Sequence, residues 1–296
     1  MRTLSHLSAL GRKAIVACLF FSTPVLAQNE ADRALTEGRR AMVEQRTDDA
    51  AKQFQKAASI DPESAPYQVW LGRAYARQAQ KAGLFKQAGL AKKTRTTWQR
   101  ATELDPNNLD AREALVEFYL QAPGIAGGSV DKAKTEAEEI RKRDAARGAI
   151  ALGRIAEKGK NQAEAERLYR SALADAPKEA TVRLGSMYQS QSNWQGMFDL
   201  FEGTLRKDPK QTYTLYHIGK AAALSGQRLD RGEQALLAYL KTTHEEGDAQ
   251  AWGTHWRLGM IYEARKQPDK ARTEYQTALK LNPRHAESAA ALKKLK

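Results

Sequence analysis

Residues 252–285 read WGTHWRLGMIYEARKQPDKARTEYQTALKLNPRH, a stretch in which small and bulky side chains recur at helical spacing. Leu258, Gly259 and Tyr262 share one face of a first helix, and Ala271, Tyr275 and Ala278 share one face of a second. A glycine inside a helix costs about 1 kcal/mol relative to alanine, so Gly259 needs the compensation of a close helix crossing. Ala271 accepts that approach and Tyr275 fills the gap beside it. Asn282-Pro283 then ends the second helix, because proline cannot continue the hydrogen-bond ladder and restricts the residue before it. The stretch is therefore a helical hairpin.

The same features return along the chain. Gly38 and Gly72, and again Gly185 and Gly219, are 34 residues apart, and Leu71, Leu184 and Ile218 stand directly before three of them. Ala41, Tyr75, Tyr188 and Ala222 follow at the next core-facing position. The second-helix signature appears as Ala50, Phe54, Ala57 and Pro62, and as Ala165, Tyr169, Ala172 and Pro177. Asp-Pro at 61–62, 105–106 and 208–209, and Ala176-Pro177, mark further helix ends.

On these residues the chain resembles the tetratricopeptide-repeat family. The repeats fall near 31–64, 65–108, 109–145, 146–177, 178–211, 212–251 and 252–285, with a terminal helix over 284–296. The unit at 65–108 keeps Leu71-Gly72, Tyr75, Trp98, Ala101 and Pro106 but carries about ten extra residues around 82–90. The unit at 109–145 is degenerate, with Val116 in the glycine place and a PGIAGG loop at 123–128. The unit at 212–251 is degenerate too, with Arg231-Gly232 where the small residue belongs and no closing proline after His244. The resemblance implies an all-α fold: a right-handed α-solenoid of about seven hairpins and a C-terminal capping helix, over residues 28–296.

It also implies a protein that binds other polypeptides in a concave groove lined by the first helix of each hairpin, and seldom an enzyme. Projecting the first helices onto that groove selects Arg39, Trp70, Arg73, Arg77, Arg147, Arg154, Arg183, Tyr213, Tyr216, His217, Lys220, Trp256 and Arg257. The set is cationic and aromatic, which suits an acidic peptide or a chain's terminal carboxylate. Some family members grip a C-terminal carboxylate with Lys and Asn on successive first helices. Here Arg39, Arg73 and Arg154 hold the corresponding places without a matching Asn. The other reading is that the aromatics pack between hairpins and the arginines form a solvated face.

Arg2, Arg12 and Lys13, an apolar run over 14–21 and Val25-Leu26-Ala27 compose a secretory signal, expected to be cut after Ala27. A lipoprotein box at 15–18 is the competing reading, but only four residues would separate Lys13 from Cys18. The run falls short of the ~20 residues of a membrane helix. The whole chain has a net charge of +13 over 296 residues, and the cut, which removes three basic and no acidic residues, leaves +10. It also removes the single Cys, which suits an oxidising compartment. The expected location is the periplasm, if the source is Gram-negative, or the exterior.

Residues 81–95 hold Lys81, Lys86, Lys92, Lys93 and Arg95 beside Leu84, Phe85 and Leu90. They read either as an amphipathic basic helix for an anionic envelope surface or as an elongated hairpin with a charged outer face. The glycine cluster at 124–128 lacks the Lys and preceding strand of a phosphate loop and reads as a hairpin loop, with Ser129 opening the next helix. His217, His244, His255 and His285 show no metal-ligand spacing, and no nucleophile elbow is present. No cofactor, metal or nucleic-acid partner is expected. The leading expectation is an exported scaffold for protein–protein interaction; the alternative is a binder of anionic envelope polymer or lipid, suggested by the charge.

Overall fold

The computed structural model describes residues 11–242 and 249–295, and every regular element among them is helical. Of the expected signal segment, residues 1–10 lie outside the described residues, and the backbone of 11–27 is the start of the first helix. His244 also lies outside them. The chain divides into two compact units, Met1–Lys158 and Gly159–Lys296. That boundary falls inside the repeat read at 146–177.

The first unit contains α1 (Gly11–Val43), α2 (Thr47–Ile60), α3 (Ala65–Lys81), α4 (Leu84–Leu104), α5 (Leu109–Gln121), α6 (Val130–Arg141) and α7 (Ala145–Lys158). Helices α1/α2, α3/α4 and α5/α6 pack as hairpins, and each second helix packs on the first helix of the next hairpin. The second unit contains α8 (Gln162–Ser171), α9 (Pro177–Ser190), α10 (Trp194–Lys207), α11 (Tyr213–Ser225), α12 (Leu229–Tyr239), α13 (Ala251–Ala264), α14 (Pro268–Leu281) and α15 (Ala286–Lys294). Here α9/α10, α11/α12 and α13/α14 are the hairpins, and α15 packs on α14. The fold class is all-α and of the α-solenoid kind, as the sequence implies.

Local chemistry sets the helix ends. Asn108, Ser129, Asn161 and Asn193 cap α5, α6, α8 and α10 by accepting from a backbone N–H three residues on. The Asp-Pro turns at 61–62, 105–106 and 208–209 follow α2, α4 and α10. Pro177 does otherwise than expected: α8 stops at Ser171, and Pro177 opens α9, where its missing N–H costs nothing.

The joints are where the sequence placed them. A Cβ added at Gly38 would overlap the Phe54 ring, at Gly72 the Trp98 ring, at Gly185 the Phe201 ring and at Gly259 the Tyr275 ring. Sixteen residues separate the partners in the first, third and fourth pairs, and twenty-six separate Gly72 from Trp98. The ten additional residues therefore lengthen the α3/α4 hairpin without moving its joint, and Trp98 Nε1 donates to the Val69 carbonyl at 3.1 Å. In the sixth repeat Leu236 replaces the aromatic against Gly219. In the third, Val116 takes the glycine place, fully buried, and the fully buried residues on the second helix are Ala133, Ala137 and Ile140, with no aromatic among them. The loop after α5 needs its glycines: Gly127 has φ +100°, and a Cβ at Gly128 would overlap the Ala122 carbonyl.

Candidate functional site

In the first unit the first helices bring Arg39, Trp70, Arg73, Arg147 and Arg154 to one neighbourhood, together with acidic residues absent from the expected set. Trp70 is half-buried against Phe54, ring centroids 5.6 Å apart. The guanidinium carbons of Arg39 and Arg73 lie 4.9 and 4.7 Å from its centroid. Arg73 reaches Asp110 at 3.4 Å, Arg147 reaches Asp110 at 2.9 Å and Glu113 at 2.6 Å, and Arg154 pairs with Glu117. The carboxylates of Asp110, Glu113 and Glu117 share one face of α5. The hydrogen bond that Arg147 donates to the Glu113 carboxylate raises the Arg147 pKa above its ordinary value. The charges of Arg73, Arg147 and Arg154 are therefore compensated by carboxylates, while Arg39 meets the Trp70 ring. Arg77 stays exposed at the end of α3 and makes only a 3.5 Å contact with Gln80.

The second unit is different. Arg183 on α9 faces only Glu179, at 3.9 Å. Tyr213 is 6% exposed and so packs in the core, while His217 stacks on Phe201 with ring centroids 4.5 Å apart and planes at 8°. On the next turn of α11, Tyr216 and Lys220 share a face four residues apart. They meet α13 at Gly253 and Arg257, which are also four apart: a Cβ at Gly253 would sit 3.7 Å from the Tyr216 hydroxyl, and Tyr216 supports the Arg257 charge. Arg257 is 7% exposed, its guanidinium lies 3.9 Å from the Trp256 ring centroid, and its Nε has no hydrogen-bond partner among the described residues.

Burial, and secondarily the positive charge of Arg257, pushes the Lys220 ammonium below the ordinary lysine range; burial lowers Arg257 in the same way. No carboxylate among the described residues pairs with Lys220. Two cations are thus held together and partly desolvated, Lys220 with no carboxylate acting on it among the described residues and Arg257 with the charge of Glu287 and the Tyr216 hydroxyl in support, and Trp256 is half-exposed beside them. That arrangement attracts an oxyanion. Trp252 and Trp256 also pack on the His285 ring, at 4.7 and 4.8 Å, and His285 caps α15 by accepting from Ser288 N–H. The terminal helix is pinned beside the site.

Two of the acids on α5 were legible from their spacing alone, since Asp110 and Glu113 lie three apart on a first helix. Trp252, one turn before Trp256, was open to the same projection.

The family comparisons agree with the hairpins. Residues 35–91 and residues 252–285 each match a tetratricopeptide-repeat model, so the chain carries repeats of this class. No curated protein matches it. Among solved structures, a tetratricopeptide-repeat protein from Parabacteroides merdae is similar at 12% identity and TM-score 0.54, over 90% of this chain and 99% of that one. Yeast Tom70 is similar at 12% identity and TM-score 0.74, over 93% of this chain and 54% of Tom70. The Cut9–Hcn1 hetero-tetramer of the APC/C is similar at 17% identity and TM-score 0.50, over 88% of this chain and 55% of the matched one. At these identities the likeness is one of fold. Among the described residues no helix is long and apolar enough to cross a membrane.

Proposed function

We propose that this chain is an exported, non-enzymatic scaffold that holds an acidic or carboxylate-terminated segment of another polypeptide in the cell envelope. Tetratricopeptide hairpins support the interaction role, and Cut9–Hcn1 is a solved case of a similar fold within a hetero-tetramer. The observation that carries the preference for acid is the half-buried Lys220 beside Arg257, two cations against which the described residues set one carboxylate, Glu287 on the Arg257 side. Trp256 and Tyr216 offer flat contact area with few rotors to freeze. The basic, apolar start of the sequence supports export.

A binder of anionic envelope polymer is the second reading, favoured by the net charge of +10 after the expected cut. One titration separates the two. Nonapeptides of acidic, neutral and basic composition, each with a free or amidated C terminus, are compared with heparin and polyphosphate across a salt series. The scaffold reading predicts selective binding of the acidic or free-terminus peptides that persists at 0.15 M salt, on the order of physiological strength. Equal binding of every polyanion, lost steeply with salt, would favour the polymer reading.

A further inference from the structure

The hairpin tips of the first unit carry a feature the binding face does not use. Six large apolar side chains stand out as exposed among the described residues: Val43, Phe85, Ile125, Val130, Leu237 and Leu281. The first four belong to three successive turns, α1–α2, α3–α4 and α5–α6. Phe85 and Ile125 are 101% and 102% exposed, so they protrude rather than line a groove. The turns are neighbours. Lys81 Nζ donates to the Gln45 carbonyl at 3.2 Å and to Thr47 Oγ1 at 2.8 Å, which ties the second tip to the first. The 124–126 turn packs on α4, which ties the third to the second.

Charge is distributed unevenly along this edge. The first tip holds Glu44, Asp48 and Asp49, of which Glu44 and Asp49 pair with Arg46. The third tip holds Asp131 and Lys132. The second tip, extended by its ten additional residues, holds Lys81, Lys86, Lys92, Lys93 and Arg95 over residues 81–95 and no acid. None of the five forms an ion pair with a carboxylate among the described residues. The residues 81–95 are not a separate amphipathic helix lying on the surface, since α3 and α4 run on as the two arms of one hairpin; what they create is a basic, apolar-tipped spur.

We infer that this edge of the first unit docks on an anionic lipid surface, with Phe85 and Ile125 entering the headgroup layer and Lys86 and Lys92 lying over the lipid phosphates. Apolar side chains flanked by basic ones are the composition with which a peripheral surface enters the headgroup boundary of an anionic membrane. The cations left unpaired beside them match a negative surface potential.

Because the N-terminal apolar run can itself bind vesicles, the test reads depth at the tips of the full-length protein. Nitroxide labels are attached, in a Cys18→Ser background, to Phe85→Cys, Ile125→Cys and, as a control, Leu237→Cys. With phosphatidylglycerol-containing vesicles the first two labels are expected below the phosphate level and the third in water; with phosphatidylcholine alone all three stay aqueous. Phe85→Ser should lower tip-dependent partitioning about tenfold, as loss of a buried phenylalanine side chain would. Aqueous labels at 85 and 125 on anionic vesicles, or equal immersion of 237, would overturn the inference and leave the edge to a protein partner.

Discussion

Replacing Phe201 by Ala is expected to destabilise the second unit by about 3–5 kcal/mol, the range for truncating a fully buried phenylalanine. Phe201 is 0% exposed and serves two contacts at once. Within its hairpin it occupies the space that Gly185 leaves open, and across to the next hairpin it stacks on His217. Truncation opens a cavity at the α9/α10 joint and removes the surface on which α11 rests. Gly185→Val attacks the same joint from the other side by overpacking, with an expected loss of about 1–3 kcal/mol. The two changes share one space, so their effects should fail to add when combined. Urea unfolding followed by circular dichroism, with amide exchange across α9–α11, reads both quantities. A loss under about 1 kcal/mol for Phe201→Ala would mean that the joint does not carry the packing assigned to it.

Arg112→Ala is expected to cost the first unit about 2–3 kcal/mol, somewhat less than the ~3–5 kcal/mol of a fully buried pair broken on one side. Arg112 joins Glu136 at 2.6 Å, with side chains 11% and 19% exposed, and its Nε donates to the Pro106 carbonyl at 3.0 Å. The pair connects α5 to α6 in the degenerate third repeat, where no glycine–aromatic joint is present. Removing Arg112 strands Glu136 with little water to replace its partner. Arg112→Met together with Glu136→Leu, which removes both charges and keeps the volume, should recover most of the loss. Denaturation of the three proteins, measured side by side, checks the order: single below double, double near wild type. A single variant as stable as the parent would show that the pair does not hold this hairpin.

The repeat framework was legible because its physics is local. A glycine on one helix and a ring sixteen residues later describe a single crossing, and the crossing leaves the same trace wherever it recurs. Pro177 was misread for an equally local reason: a proline after a helical pattern marks a helix end or a helix start, and only the early stop of α8 at Ser171 distinguishes them. The binding face was legible in part. Projecting the first helices found Lys220, Trp256 and Arg257, but projection assigns charge to residues one at a time. Whether a cation is free depends on its neighbour from another hairpin. Arg73 and Arg147 meet Asp110 across 37 positions of sequence, while Lys220 meets Arg257 and no acid. Burial escaped the projection for the same reason, since Arg257 lies on the expected helix yet is almost covered.

The proposed preference for an acidic partner rests on two cations kept close, Lys220 and Arg257, with Glu287 acting on Arg257 alone. The dissociation constant of an acidic nonapeptide for the wild-type chain and for Lys220→Ala, both at low salt, puts that to the proof. Loss of one charge-assisted contact should raise the constant about tenfold to a hundredfold, while Arg147→Ala, whose charge is already compensated, leaves it within about twofold. Equal affinity of wild type and Lys220→Ala, or a larger loss at Arg147, would contradict it.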